Sequence, residues 1–126
     1  MCEYNILIYL LEPKIKDINY EKYEVFIGVS ITNSDSARNN LDETLKKHIK
    51  DYIYYKKTGS NINTNSYKLF EKYGYNNIII KKLNDYKMVF INKYTILDEI
   101  KKTEQKYINQ YNNCINKYNN FLPIDI

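Results

Sequence analysis

The chain has 126 residues and a mass of 15.2 kDa, the size of one compact domain around one hydrophobic core, which excludes most multidomain enzymes. Eighteen Lys, 19 Ile, 18 Asn and 15 Tyr account for 70 of the 126 residues, and a single Arg, Arg38, stands against the lysines. The codons of these types are A/T-rich, so base composition explains the lysine and tyrosine wealth before any ligand does. The formal charge of +4 and isoelectric point near 8.9 lean towards anionic partners, with the lysine bias giving the same lean, and a 44% hydrophobic fraction argues against disorder.

Two cysteines, Cys2 and Cys114, lie far apart and outside any CxxC or Cys/His cluster. They make neither a disulfide framework nor a zinc motif, which suits a reducing compartment. The early apolar run Ile6 to Leu11 follows Glu3 and is too short for a signal core or a membrane span. The expectation is an intracellular, soluble protein that makes no use of a membrane.

Along the chain, Tyr4 to Glu12 is rich in aromatic and branched apolar types and stops at Pro13, which predicts a strand. Tyr23 to Ile31 predicts a second, with Val25, Ile27 and Val29 on one face and Phe26 opposite. The intervening Pro13 to Lys22 and the polar cluster Asn33 to Asn40 read as loops. From Leu41 the period changes: Leu41, Leu45, Ile49, Tyr52 and Ile53 share a helical face over 41–56, with Lys46, Lys47 and Lys50 elsewhere. A polar loop, Gly59 to Ser66, precedes a short helix, Ser66 to Tyr73, stopped by Gly74. Asn77 to Asn84 predicts a third strand, whose three adjacent isoleucines suggest a central position buried on both faces. Met88 to Ile91 fits a loop or a short strand, and Thr95 to Tyr111 predicts a helix with Thr95 as N-cap. The Asn-rich tail is expected to pack back through Ile115, Phe121 and Leu122. With no repeat and no linker, residues 1–126 form a single α+β domain, a small sheet with helices packed on it.

Two polar residues interrupt this pattern. Glu104 falls on the inward face of the last helix with Leu97, Ile100, Tyr107, Ile108 and Tyr111. A carboxylate there is either a metal ligand or catalytic group, or a boundary residue that swings to solvent or pairs with a lysine. The only histidine, His48, borders the apolar face of the first long helix, as a hydrogen-bonded boundary residue or as a catalyst. No nucleophile elbow supports a Ser/His/acid triad. Three glycines and no GxGxxG, Walker or DxDxDG pattern exclude the usual nucleotide-dependent enzymes.

Taken in order, several fragments resemble the GIY-YIG endonuclease domain over roughly Tyr4 to Phe121. Ile8-Tyr9 stands at the end of the GIY strand, with Leu7 for its glycine, and VFIG at Val25 to Gly28 is similar to the YIG strand, with Phe26 for its tyrosine. LKKHIKDYIYYKKTG at Leu45 to Gly59 resembles the first long helix and following loop, and LFEKYG at Leu69 to Gly74 the short helix before NIIIKKL. TEQKYI at Thr103 to Ile108 resembles the segment bearing the metal-binding glutamate, and CINK at Cys114 to Lys117 the asparagine motif.

The resemblance implies a three-stranded antiparallel sheet flanked by helices and a phosphodiester-cleaving site. It assigns Glu104 to a magnesium or manganese ion, Tyr9 to the first tyrosine, His48 to the helix histidine and Asn116 to the asparagine. It also shows two losses. Phe26 has no hydroxyl to relay a proton, and Thr44, where the arginine belongs, has no charge for a phosphate. Lys46 and Lys47 point about 200° and 300° round the helix from Thr44 and are poor substitutes. The expectation is a divergent nuclease-fold protein with impaired or lost cleavage, retained to bind nucleic acid, DNA in the first instance, or a protein partner. The rival is an active metal-dependent endonuclease using Tyr9, His48 and Glu104, and a third reading is a protein-interaction or inhibitor module without a nucleic-acid role. Lys46, Lys47, Lys50, Lys56 and Lys57 are the expected nucleic-acid contacts. The A/T-type bias suggests a virus or mobile element as the source.

Overall fold

The computed structural model describes residues 2–14, 23–33, 41–59, 65–90, 93–111 and 114. Three strands, β1 (Cys2–Pro13), β2 (Phe26–Asn33) and β3 (Ile78–Phe90), form an antiparallel sheet in the order β2-β1-β3. Three helices, α1 (Leu41–Thr58), α2 (Asn65–Tyr73) and α3 (Lys93–Asn109), complete the described α+β fold. No helix among the described residues is long and apolar enough to cross a membrane.

The central strand is β1, and its sequence says why. Every residue from Ile6 to Pro13 is buried, so the apolar run serves both faces of the sheet. Leu7, Tyr9 and Leu11 point to a core shared with Tyr52 of α1 and Tyr67, Leu69 and Phe70 of α2. Ile8 and Leu10 point the other way, to a core with Val25, Ile27 and Ile108 of α3, and Ile6 meets Ile31 and Ile100. Alternation thus sorts one strand between two helical layers. Glu12, on the α3 side, is 3% exposed and holds Lys81 Nζ at 2.6 Å.

The expectation of a central third strand is corrected: β3 is an edge. Of its three isoleucines only Ile78 is buried, while Ile79 and Ile80 are half-buried. The strand also runs on through Met88 to Phe90, because a register shift opposite Ile8 and Tyr9 keeps apolar residues facing inward. Ile8 pairs with Asn84 and Tyr9 with Lys82, so Leu83 is skipped. Before this bulge Ile78 and Ile80 face α1 and α2; after it Tyr86 and Met88 face α3.

Strand β2 starts at Phe26, later than expected, since Val25 forms an isolated parallel bridge to Cys114. Helix α1 packs through Leu41, Leu45, Ile49, Tyr52 and Tyr55, whereas Ile53 is 45% exposed, a correction to its assignment to the inner face. The α1 stripe drifts round the cylinder and Tyr55 closes it against Tyr67, ring centroids 5.0 Å apart. Both α1 and α2 end at glycines with positive φ, Gly59 at 67° and Gly74 at 84°, whose amides return to Tyr55 O and Phe70 O at 2.9 and 2.8 Å. Helix α3 begins at Lys93, so Thr95 lies inside it and is not its N-cap. Arg38, Asn116 and the tail residues Ile115, Phe121 and Leu122 lie outside the described residues, as do the expected loops apart from their ends.

Candidate functional site

On the α1 side of the sheet, strand pairing places Tyr9 of β1 directly opposite Gly28 of β2. Paired residues share a face, so the Tyr9 ring lies across the edge strand exactly where a side chain at 28 would stand. A Cβ built on Gly28 would sit 2.5 Å from Tyr9 Cζ and 2.8 Å from Cε2, well inside van der Waals contact. The glycine is needed for space, since its φ is not in the left-handed region. Its bareness gives Tyr9 a platform and sends the hydroxyl towards α1.

There Tyr9 Oη meets His48 Nε2 at 2.5 Å, and the two rings stand edge-on with centroids 5.6 Å apart. The other ring nitrogen of His48, Nδ1, is 3.3 Å from Ser66 Oγ in the first turn of α2. Phe26, on the same sheet face as Gly28, also packs edge-on against His48, centroids 5.9 Å apart. One histidine is therefore held by β1, β2 and α2 together. Thr44 lies one turn earlier on α1 and is half-buried.

Electrostatics follow burial. Tyr9 is 3% exposed, and loss of water raises its hydroxyl pKa well above the ordinary value of 10, with the Glu104 charge adding to the rise. Burial lowers His48 from 6.5 to about 4; Lys47 pushes the same way and Asp51 opposes it. At neutral pH both groups are uncharged, and the pair is a phenol bonded to a neutral imidazole.

Glu104 is buried, 5% exposed, so it does not swing out to solvent, while pairing with a lysine and a metal or catalytic role both stay compatible with its burial. It sits between Ile100 and Ile108, which pack on the opposite face of the sheet from Tyr9. Its carboxylate acts on Tyr9 by charge and makes no hydrogen bond with it: among the described residues His48 Nε2 is the hydroxyl's only hydrogen-bond partner. No group of three or more His, Cys, Asp or Glu gathers around a possible metal among the described residues. A single protein carboxylate such as Glu104 still fits a magnesium or manganese ion that takes most of its ligands from water and phosphate oxygens.

The structure thus brings together Tyr9, His48 and Phe26, buries Glu104 on α3 close enough to act on Tyr9 by charge, and leaves Asn116 outside the described residues. Lys46, Lys47, Lys50, Lys56 and Lys57 are all exposed on α1. Lys56 is tied to Glu71 of α2 at 2.7 Å, whereas the other four make no ion pair among the described residues. Ser66 and Gly28 were not marked as site residues by the sequence. Ser66 sits at the end of a polar loop, with nothing local to link it to a histidine 18 positions earlier. Gly28 is one of three glycines in the chain and interrupts the apolar run Val25 to Val29, a readable signal of a close approach. Ser66 is fully buried, which excludes it as a nucleophile. In comparison with known proteins, the chain matches no family model, no curated protein and no solved structure.

Proposed function

We propose that the chain is a divergent GIY-YIG-type nuclease-fold protein that binds nucleic acid and cleaves it weakly or not at all. The observation that carries this reading is the Phe26 ring packed against His48, at the position where the resembled chemistry uses a tyrosine hydroxyl. A phenyl edge can neither take a proton from water nor bond a phosphate oxygen. Thr44 adds a second deficit, since it has no charge to balance a phosphorane-like transition state. The loss of such stabilisation costs on the order of 10²-fold or more in rate. Tyr9 compounds it: its hydroxyl is buried, engaged by His48, and held in the protonated form.

If a divalent metal is bound, Glu104 is the residue that would hold it, and the metal would supply charge stabilisation to a phosphate. Tyr9 and His48 would hold and exchange a proton. Binding to a phosphate backbone would draw on Lys46, Lys47, Lys50 and Lys57, the exposed α1 lysines that make no ion pair among the described residues. One observation favours the active alternative: the Tyr9–His48 hydrogen bond gives the phenol a basic partner that could take its proton.

A nicking assay on supercoiled and branched DNA with magnesium or manganese separates the two. The proposed reading expects salt-sensitive binding and cleavage at or near background. Metal-dependent nicking that disappears in Glu104→Ala, with binding retained, would establish the active enzyme instead.

A further inference from the structure

His48 is the only histidine, and the hydrogen bonds around it determine which ring nitrogen carries the proton. The Tyr9 hydroxyl has one hydrogen-bond partner among the described residues, His48 Nε2. Were Nε2 protonated, Tyr9 could only accept from it, and its own O–H would be left buried without an acceptor. Buried donors are rarely left so. Tyr9 therefore donates, Nε2 is the bare nitrogen, and a neutral ring must carry its proton on Nδ1. That N–H faces Ser66 Oγ at 3.3 Å. Ser66 is 0% exposed, so no bulk water competes for the position.

We propose that Ser66 is a positioning residue that, together with the Tyr9 hydroxyl, holds His48 as the Nδ1–H tautomer: Tyr9 needs a bare Nε2, and Ser66 Oγ gives the Nδ1–H its acceptor, without which either tautomer leaves one buried donor unmet. The chain of donors runs Tyr9 Oη–H to Nε2, then Nδ1–H to Ser66 Oγ. The direction matters: a proton leaving Tyr9 passes to Nε2, making the ring cationic, and Ser66 remains the acceptor throughout. It also makes α2 part of the centre, because its first turn carries the group that fixes the ring of a helix it packs against. The neighbouring charges on α1 oppose each other at the ring, Asp51 favouring its cation and Lys47 disfavouring it. This inference rests on the reading of Tyr9 and His48 as the functional pair.

The test is a long-range ¹H–¹⁵N correlation spectrum of the uniformly labelled full chain at neutral pH, without nucleic acid. A single histidine needs no assignment. The wild type should show one neutral tautomer with the proton on Nδ1 and a pyridine-like Nε2. Ser66→Ala should lose that single pattern, giving the Nε2–H form or an average of the two, while Ser66→Thr, which keeps the hydroxyl, should restore it. An Nε2–H wild type would overturn the proposal without any variant having to fold. So would a Ser66→Ala protein with wild-type circular dichroism and an unchanged spectrum. Failure of the nucleic-acid reading shows in the binding and nicking assays instead and leaves this spectrum untouched.

Discussion

Substituting Gly28 by alanine puts one methyl group where the Tyr9 ring already lies. The new carbon would be 2.5 Å from Tyr9 Cζ, against an optimal carbon–carbon separation of about 3.5–4.0 Å, so the ring must retreat by about 1 Å. The hydroxyl oxygen is the Tyr9 atom closest to the added carbon, so the displacement falls on the Tyr9–His48 hydrogen bond. Overpacking of this kind costs about 1–3 kcal/mol. Relief of glycine's unfolded-state entropy returns about 0.4–1 kcal/mol, leaving a net loss of about 0–2.6 kcal/mol. In a Tyr9→Ala background the obstruction is gone, and the same substitution should be neutral or slightly stabilising. Urea unfolding of the wild type, both single variants and the double variant therefore gives a coupling energy of about 1–3 kcal/mol. Additivity within about 0.5 kcal/mol would refute the argument that Gly28 exists to seat Tyr9.

Three further outcomes follow from the same centre. His48 has a folded pKa near 4 against 6.5 unfolded, so its neutral form stabilises the fold. That contribution is complete above pH 6.5 and is lost as pH falls towards 4, by up to about 3 kcal/mol, and His48→Gln should show a correspondingly shallower loss across this window. An unchanged acid slope in the variant would remove His48 as its source. Restoring the missing groups, Phe26→Tyr with Thr44→Arg, should raise metal-dependent nicking by on the order of 10²-fold over the parent, with Glu104→Ala in the restored protein returning it to background. No gain in a folded double variant would mean that these two positions are not what limits cleavage. Charge reversal at Lys46, Lys50 and Lys57 should weaken DNA binding and flatten its salt dependence, whereas Lys56→Glu should act mainly on stability through its 2.7 Å pair with Glu71. Equal effects of both changes on DNA affinity would contradict the assignment.

Much of the architecture is local and was legible in the chain. The apolar run of β1, the period of α1 from Leu41, the stops at Gly59 and Gly74, and the inward place of Glu104 all follow from two- or 3.6-residue patterns that neighbours alone decide. The replacement of a hydroxyl by Phe26 and of a charge by Thr44 is likewise a property of the residues themselves. What the tertiary structure decided is non-local. Three adjacent isoleucines read as a central strand, but partnering made β3 an edge, since a strand's place in a sheet depends on which chains lie beside it and not on its own hydropathy. Ile53 fits the apolar stripe of α1 and is nonetheless exposed, because the packed face drifts to Tyr55. The site itself depends on three long-range meetings: Tyr9 over Gly28, Tyr9 with His48, and His48 with Ser66. Each joins elements far apart in sequence, where propensity is silent and only the fold sets the distance.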